Sequence, residues 1–316
     1  MSARVLVTGA TGFIGGRLAE RLSQAGAEVR CLVRDAGSVK SQALEGQGFA
    51  LHEGDVLRPR TLDGAGRGVD VAYYLIHSMG RGGSSDFVAR EREAAAAFAR
   101  MARRDGIERV IYLGGLGDRP QSKHLQSRHE TALTLRAEGP PLTYFRASMV
   151  VGPQSESYRT LRYLVQRLPA MIAPAWLTNE TQPIAIDDTL AYLIQALSVE
   201  ASAGREIQIG GPDVLTYGDM LDAMAAVLGI RPRPRIPVPL ITPWLSSLWI
   251  GLVTPVDAGV ARPLIEGLAA PTVVTDPSGM DRFDLRPVDF QTALRRAVDE
   301  DPELRRRTGE RAAAAA

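Results

Sequence analysis

Short apolar runs alternate with amphipathic stretches along the first half of the chain. The apolar runs are rich in Val, Ile and Leu and have the length of buried strands. The stretches between them repeat apolar residues at helical spacing, as Leu18 and Leu22 do. Strands are predicted at 4–8, 28–33, 49–56, 69–78, 109–118 and 142–153, and helices after the first strand and at 86–104 and 122–136. This alternation predicts an α/β fold with a Rossmann-type, doubly wound parallel sheet.

Shorter elements follow Pro153. Helices are predicted at 158–168 and from a Thr216 N-cap to Leu228, and short strands at 182–188 and 205–212. Asp187 or Asp188 is expected to cap the helix that follows the first of these strands. We expect a Rossmann domain over 1–153, a smaller C-terminal α/β substrate or lid region over 154–308, partly interleaved with the sheet, and a flexible tail over 309–316.

Three glycines at three-residue spacing, Gly9, Gly12 and Gly15, lie between the first strand and the first helix. In this context the first glycine allows a tight turn, the second lets the backbone approach a pyrophosphate, and the third lets the helix pack close to the strand. The helix N-terminus then offers free N–H groups and a positive dipole end to phosphates. The pattern favours a dinucleotide site over a glycine-rich turn without a ligand.

The residues that follow the second strand indicate which dinucleotide binds. Arg34 suits the 2′-phosphate of NADP, whereas Asp35 would suit the ribose 2′-hydroxyl of NAD. Arg34 comes first and Arg17 on the first helix could assist it, so NADP(H) is the preferred cofactor. NAD(H) stays open as an alternative, as does a plain surface ion pair.

The glycine spacing of residues 8–15 resembles that of the short-chain dehydrogenase/reductase superfamily, in its extended or atypical branch. The chain is most similar to the NmrA-like group and to the group of the complex I 39-kDa subunit. The resemblance implies an NAD(P) site and places Asp55 and Val56 beside the adenine, although Asp55 could instead cap the next helix. The implied cofactor contacts are Gly9, Thr11, Gly12, Phe13, Ile14, Gly15, Arg34, Asp55, Val56, Leu75, Ile76, His77, Arg128, Ala147 and Met149.

The resemblance also locates a catalytic triad that this chain lacks. Members of the superfamily use a Ser and a Tyr-x-x-x-Lys pair on one helix face. Here His124 and Arg128 fall at the tyrosine and lysine positions, and the serine position falls near Gly114 and Gly115. His124 could act as an acid and His77 could face it across the nicotinamide. Equally, both histidines could be pocket walls or cofactor contacts.

Composition and charge exclude several other classes of function. The formal net charge is +1, which gives no electrostatic footprint for nucleic acid. The single cysteine, Cys31, lies in an apolar run and is expected to be a buried strand residue. The four histidines form no compact ligand motif and no CxxC occurs, so no metal is predicted. The chain begins in a strand without a signal peptide, so a cytoplasmic location is expected.

An uncharged stretch at 236–256 combines tryptophans and aliphatic residues with four prolines. The prolines leave too short an unbroken segment for a spanning helix. We expect an apolar lid or pocket wall there, or else a peripheral membrane or protein contact.

Together these features favour an NADPH-dependent reductase of a small apolar acceptor such as a quinone or an enone. The alternatives are an NADP(H)-binding redox sensor without chemistry and an assembly or structural subunit. The oligomeric state is not set by any motif.

Overall fold

The fold is built on one parallel sheet of seven strands. The structure, a computed structural model, describes residues 2–77, 87–117, 123–173, 175–237 and 270–306. In chain order the strands are β1 (Arg4–Thr8), β2 (Glu28–Val33), β3 (Ala50–Glu53), β4 (Val71–Tyr74), β5 (Arg109–Gly115), β6 (Leu142–Ala147) and β11 (Glu206–Ile209). Their spatial order is β11-β6-β5-β4-β1-β2-β3, and every neighbouring pair is parallel. The predicted doubly wound parallel sheet is confirmed.

Helices cover both faces of the sheet and bury two apolar cores. In chain order they are α1 (Phe13–Gln24), α2 (Val39–Gly46), α3 (Phe87–Arg104), α4 (Lys123–Glu138), α5 (Glu156–Arg167), α6 (Ile186–Gln195), α7 (Tyr217–Val227) and α8 (Phe290–Glu300). Leu18 and Leu22 of α1 and Leu190 of α6 pack on one face. The alanine-rich α3 packs on the other face, where its small side chains allow close contact with the sheet and with α4. Short 3-10 helices lie at Pro59–Leu62, Ala175–Thr178, Glu200–Ser202 and Pro277–Arg282.

The residues beyond β6 form a third core beside the carboxyl end of the sheet. Three short strand pairs frame it: β7 (Val150–Val151) with β10 (Ile184–Ala185), β9 (Glu180–Thr181) with β12 (Leu215–Thr216), and β8 (Met171–Ala173) with β13 (Arg235–Pro237). Apolar residues of α5, α7 and α8 pack together inside it. One strand of the C-terminal region, β11, is not part of this third core, because it pairs with β6 in the main sheet.

Two details of the sequence-based picture are settled by the structure. Cys31 is fully buried in β2, as predicted, and burial raises the pKa of its thiol to about 12. The predicted N-cap at Asp187 or Asp188 is wrong, because α6 begins after Ala185 with no side-chain cap. Both aspartates lie in the first turn of α6 instead, where negative charge is favourable to the helix dipole.

The apolar stretch at 236–256 and the predicted tail at 309–316 lie almost wholly outside the described residues. Ile236 in β13 is the described member of the apolar stretch whose side chain can be assessed, and it is exposed. None of the helices that the structure describes is long and apolar enough to cross a membrane.

Candidate functional site

The candidate site lies at the carboxyl edge of the sheet, where β1 lies between β2 and β4. The chain leaves β1 towards β2 on one side, whereas β4, β5 and β6 extend the sheet to the other side. The place where the strand order reverses in this way is a topological switch point. The connections on its two sides diverge and leave a crevice in which open parallel sheets bind ligands. Gly9 follows β1 and Leu75 follows β4 at this crevice.

The glycine turn is closed too tightly to accept side chains. Gly9 has a φ of +66°, and its carbonyl accepts the N–H of Gly12 at 2.9 Å. A Cβ on Gly9 would lie 2.6 Å from the Leu75 carbonyl oxygen, and a Cβ on Gly15 would lie 2.3 Å from the Gly9 oxygen. Buried Thr8 accepts the N–H of Leu75 at 2.9 Å and ties the turn to β4. The geometry meets two of the glycine requirements of a dinucleotide turn, the tight turn at Gly9 and the close packing of helix on strand at Gly15.

The N-terminus of α1 is open to an anion. Gly12 is the N-cap and supplies no side-chain hydrogen bond, and the first turn contains no acidic residue. Thr11 and Gly12 are exposed, and Phe13 and Ile14 are half-buried. The N–H groups of the first helical turn therefore have the helix dipole behind them and no carboxylate competing for them, which suits a pyrophosphate.

Two cations lie near the place where a 2′-phosphate is expected. Arg34 is exposed directly after β2, and the Lys40 ammonium lies 3.5 Å from the Thr11 carbonyl oxygen. Asp35, the residue that favoured NAD, accepts the N–H of Gly37 at 2.9 Å and so helps to shape the turn into α2. Lys40 was not among the residues predicted from the sequence, where its only signal is its place in the first turn of the helix that Ser38 caps.

Arg17, which was expected to assist Arg34, is engaged elsewhere. Its guanidinium pairs with Glu300 of α8 at 3.2 Å and lies 5.3 Å from the centre of the Phe13 ring. Phe13 in turn packs on Gly152, where a Cβ would lie 2.6 Å from the Phe13 Cζ atom. Arg17 therefore supports the glycine turn from the side of the C-terminal region.

Asp55 shapes the turn after β3 without capping a helix. Its carboxylate accepts the N–H of Leu57 at 3.0 Å, and its own N–H donates to the Thr61 hydroxyl at 2.8 Å. The 3-10 helix that follows has Arg58 at its N-cap, so the capping alternative for Asp55 is wrong. Val56 is buried against the core. The adenine contact of both residues stays a prediction.

The residues expected around the nicotinamide come from three neighbouring strands and from α4. Leu75 is buried and Ile76 is half-buried after β4. The His77 Nε2 atom lies 3.1 Å from the Leu113 carbonyl oxygen of β5, and its ring lies 5.9 Å from that of Tyr112. Arg128 on α4 borders the end of β5, and Ala147 and Met149 lie at the end of β6. The side chain of His124 lies outside the described residues, so its role as an acid stays a prediction.

Gly114 and Gly115, which lie near the expected serine position, are closely packed against neighbouring side chains. A Cβ on Gly114 would lie 2.7 Å from the Tyr144 ring, and a Cβ on Gly115 would lie 2.6 Å from Leu125 Cδ2. Two tyrosines, Tyr112 and Tyr144, lie beside these glycines and are buried. Burial raises the pKa of Tyr144 to about 12 and that of Tyr112 well above its usual value. Both rings are fully buried, and the Tyr112 hydroxyl donates to the Arg128 carbonyl at 3.2 Å, so neither hydroxyl faces a space that a substrate could enter.

A hydroxyl cluster that the sequence did not reveal fixes the C-terminal region to the end of β6. The Ser148 hydroxyl lies 2.5 Å from that of Thr181 and 2.9 Å from that of Thr272, and the two threonine hydroxyls are 2.8 Å apart.

Among the described residues, no group of three His, Cys, Asp or Glu side chains is placed to hold a metal ion.

The fold and the glycine turn define a Rossmann-type protein with a dinucleotide-binding motif. The sequence model of the NmrA-like family matches residues 1–230, and the chain belongs to that family. The resemblance inferred from the glycine motif is thus confirmed.

Named relatives cover much of the chain at low identity. A ceramide reductase of Caulobacter vibrioides is 28% identical over 265 residues, which are 82% of each protein. Subunit 9 of the mitochondrial NADH dehydrogenase (ubiquinone) 1 alpha subcomplex of Arabidopsis thaliana is 27% identical over 249 residues, 74% of this chain and 60% of the subunit. The NADPH complex of the Escherichia coli quinone oxidoreductase QOR2 has a similar fold, with a TM-score of 0.70 at 16% identity over 92% of this chain and 98% of that one.

Proposed function

We propose that the protein is an NADPH-dependent reductase of a small apolar acceptor, a quinone or an enone-like carbonyl. The observation that carries the proposal is the closed glycine turn in front of an uncapped α1, with Arg34 and Lys40 beside it. Pyrophosphate binds at the helix N-terminus, and the two cations bind the 2′-phosphate through charge-assisted hydrogen bonds.

The packing around the end of β5 supports an acceptor that needs little help from an acid. A Cβ on Gly114 would lie 2.7 Å from the Tyr144 ring, and Tyr112 and Tyr144 are buried away from a substrate. A quinone or an enone is already electrophilic, so it accepts hydride readily and water can protonate the product. The names of the relatives, a ceramide reductase and, on fold alone, a quinone oxidoreductase, agree with reduction of an apolar substrate.

Binding of NADP(H) without turnover is the second candidate. It is favoured by the same closed packing at the serine position and by the relative that is a subunit of a respiratory complex. In that role the bound nucleotide would stabilise a folded subunit or report the redox state.

Cofactor affinity tests the binding half of the proposal. Arg34→Ala and Lys40→Ala should each weaken NADPH binding about tenfold to a hundredfold, because each removes a charge-assisted contact to the 2′-phosphate. NADH binding should change little, since NADH lacks that phosphate. Arg67→Ala, an exposed arginine far from the glycine turn, is the matched control. Equal losses for NADPH and NADH, or no loss for either, would argue against the assigned 2′-phosphate site.

A further inference from the structure

Arg146 is a nearly buried cation near the carboxyl end of β6, the second strand from one edge of the sheet. It is 8% exposed. Burying a guanidinium is costly unless hydrogen bonds and an opposite charge compensate it. The partners of Arg146 therefore show what the residue holds in place.

Among the described residues, its hydrogen-bond partners include Glu206 of β11 and two carbonyls at the end of β5 and in the turn that follows. Nη2 donates to the Gly117 carbonyl at 2.6 Å, and Nε lies 3.4 Å from the Gly115 carbonyl oxygen. Nη1 donates to the Glu206 carboxylate of β11 at 2.8 Å. One planar guanidinium thus ties β11 to the turn that ends β5, which an ammonium with a single nitrogen cannot do at all three points.

Arg146 binds the end of β5 and the turn after it, Gly115 to Gly117, which border the place where the nicotinamide is expected. Leu116 donates its N–H to the Ala147 carbonyl at 2.8 Å, and Gly117 has a φ of +147°, which favours glycine. Gly115 lies against Leu125 and Arg128 of α4. A shift of this turn would therefore move the end of β5 relative to α4 and relative to Ala147.

Glu206 also reaches the far end of the same helix. Its carboxylate lies 3.8 Å from the Arg136 guanidinium, in the last turn of α4. This second pair is largely exposed and contributes little by itself. The Glu206 carboxylate thus contacts both Arg146, which binds the turn after β5, and Arg136 at the end of α4.

We propose that Arg146 is a positioning residue, held by Glu206, which sets the β5 turn so that α4 and the end of β5 seat the nicotinamide ring for hydride transfer. This inference rests on the proposed function. Arg146 touches neither cofactor nor substrate in this scheme, and it acts through the carbonyls of Gly115 and Gly117. The adenosine half of the cofactor, bound near β1 and β2, should be independent of it.

Arg109 provides a matched control for the loss of a buried arginine. It is also 8% exposed, lies at the opposite end of β5 and donates to the Leu197 carbonyl at 3.0 Å. Arg109→Met and Arg146→Met should both lower the melting temperature. Only Arg146→Met should slow single-turnover oxidation of bound NADPH, by about tenfold to a hundredfold, because small displacements at the reacting centre have effects of that size.

The dissociation constant of NADPH should meanwhile stay within about threefold of the wild-type value, since phosphate and adenosine contacts supply the affinity. Arg146→Lys should recover part of the rate. Glu206→Gln is a milder change and should reduce the rate less. It replaces Arg146→Met in the test if that variant does not fold. Equal rates in Arg146→Met and Arg109→Met, or a rate loss matched by an equal loss of NADPH affinity, would overturn the proposal.

A separate readout distinguishes this proposal from the proposed function. If the wild-type protein binds NADPH and no acceptor oxidises it, the reductase proposal fails. The fluorescence of the bound reduced nicotinamide still reports how the ring is seated. Arg146→Met should change that emission while Arg109→Met does not, and identical emission from both variants would refute the positioning role.

Discussion

Gly15 sets how closely α1 approaches the end of β1. Its Cα faces the Gly9 carbonyl, and a Cβ would lie 2.3 Å from that oxygen and 2.7 Å from the Gly9 carbonyl carbon. These are backbone atoms, so the clash can be relieved only by moving the turn or the helix. The N–H groups that would bind the pyrophosphate would then move with it.

Gly15→Ala should therefore weaken NADPH binding by about tenfold or more and lower the melting temperature, since overpacking at backbone atoms strains the turn. Fluorescence titration with NADPH and thermal unfolding measure the two effects. Gly46→Ala is the control, because a Cβ at Gly46 meets nothing within 4 Å. Unchanged NADPH affinity in Gly15→Ala would show that the turn does not bind the pyrophosphate.

The residues that could be predicted from the sequence are those whose role follows from local geometry. Gly9, Gly12 and Gly15 were found because a strand, a tight turn and a helix impose that spacing. Lys40 and Arg146 were missed because their contacts join segments 29 residues apart or more, Lys40 to Thr11 and Arg146 to Gly117. Nothing in the sequence around either residue encodes those partners.

The N-termini of the helices also differ in whether local sequence or long-range contacts determine them. Thr216 caps α7 as predicted and forms a full capping box with Asp219, a motif contained in four consecutive residues. At the start of α6, the two aspartates that were expected to cap the helix bind residues distant in the sequence instead. Asp187 pairs with Arg21 of α1 at 3.0 Å, and Asp188 accepts the N–H of Val288 at 2.9 Å. Tertiary contacts thus overrode the local capping signal.

The capping box makes the stability of α7 depend on pH. The Thr216 hydroxyl and N–H hydrogen-bond to the Asp219 carboxylate and hold its pKa below the usual value. A carboxyl whose pKa is lower in the folded state stabilises the fold above its unfolded pKa, about 3.9. That contribution is lost as the pH falls through the lower, folded-state pKa.

Asp219→Asn should accordingly reduce the free energy of unfolding by about 1 kcal/mol or less at pH 7, and by less at pH 3. Urea unfolding at both pH values measures the difference. Thr216→Ser, which keeps the hydroxyl, should change little at either pH. A cost for Asp219→Asn that is the same at pH 3 and pH 7 would contradict the role of the ionised carboxylate.

At the scale of the whole molecule, the C-terminal region completes the sheet as well as flanking it. Glu206–Ile209 lies within a predicted strand of a region that was expected to interleave partly with the sheet. The sequence does not indicate its partner, which is β6, where Glu206 pairs with Tyr144. The same region supports the glycine turn through the Arg17–Glu300 pair and fixes the end of β6 through the cluster of Ser148, Thr181 and Thr272. Long-range pairing of short elements is what periodicity cannot predict.

Hydride transfer from bound NADPH can be followed directly in a stopped-flow experiment on the protein loaded with NADPH. A panel of quinones and enones is added, and the reduced-nicotinamide absorbance is followed. We expect rapid loss of absorbance with at least one apolar acceptor, and a slower loss in His124→Ala. Tight NADPH binding with no oxidation by any acceptor would contradict the reductase assignment and favour a nucleotide-binding sensor or subunit.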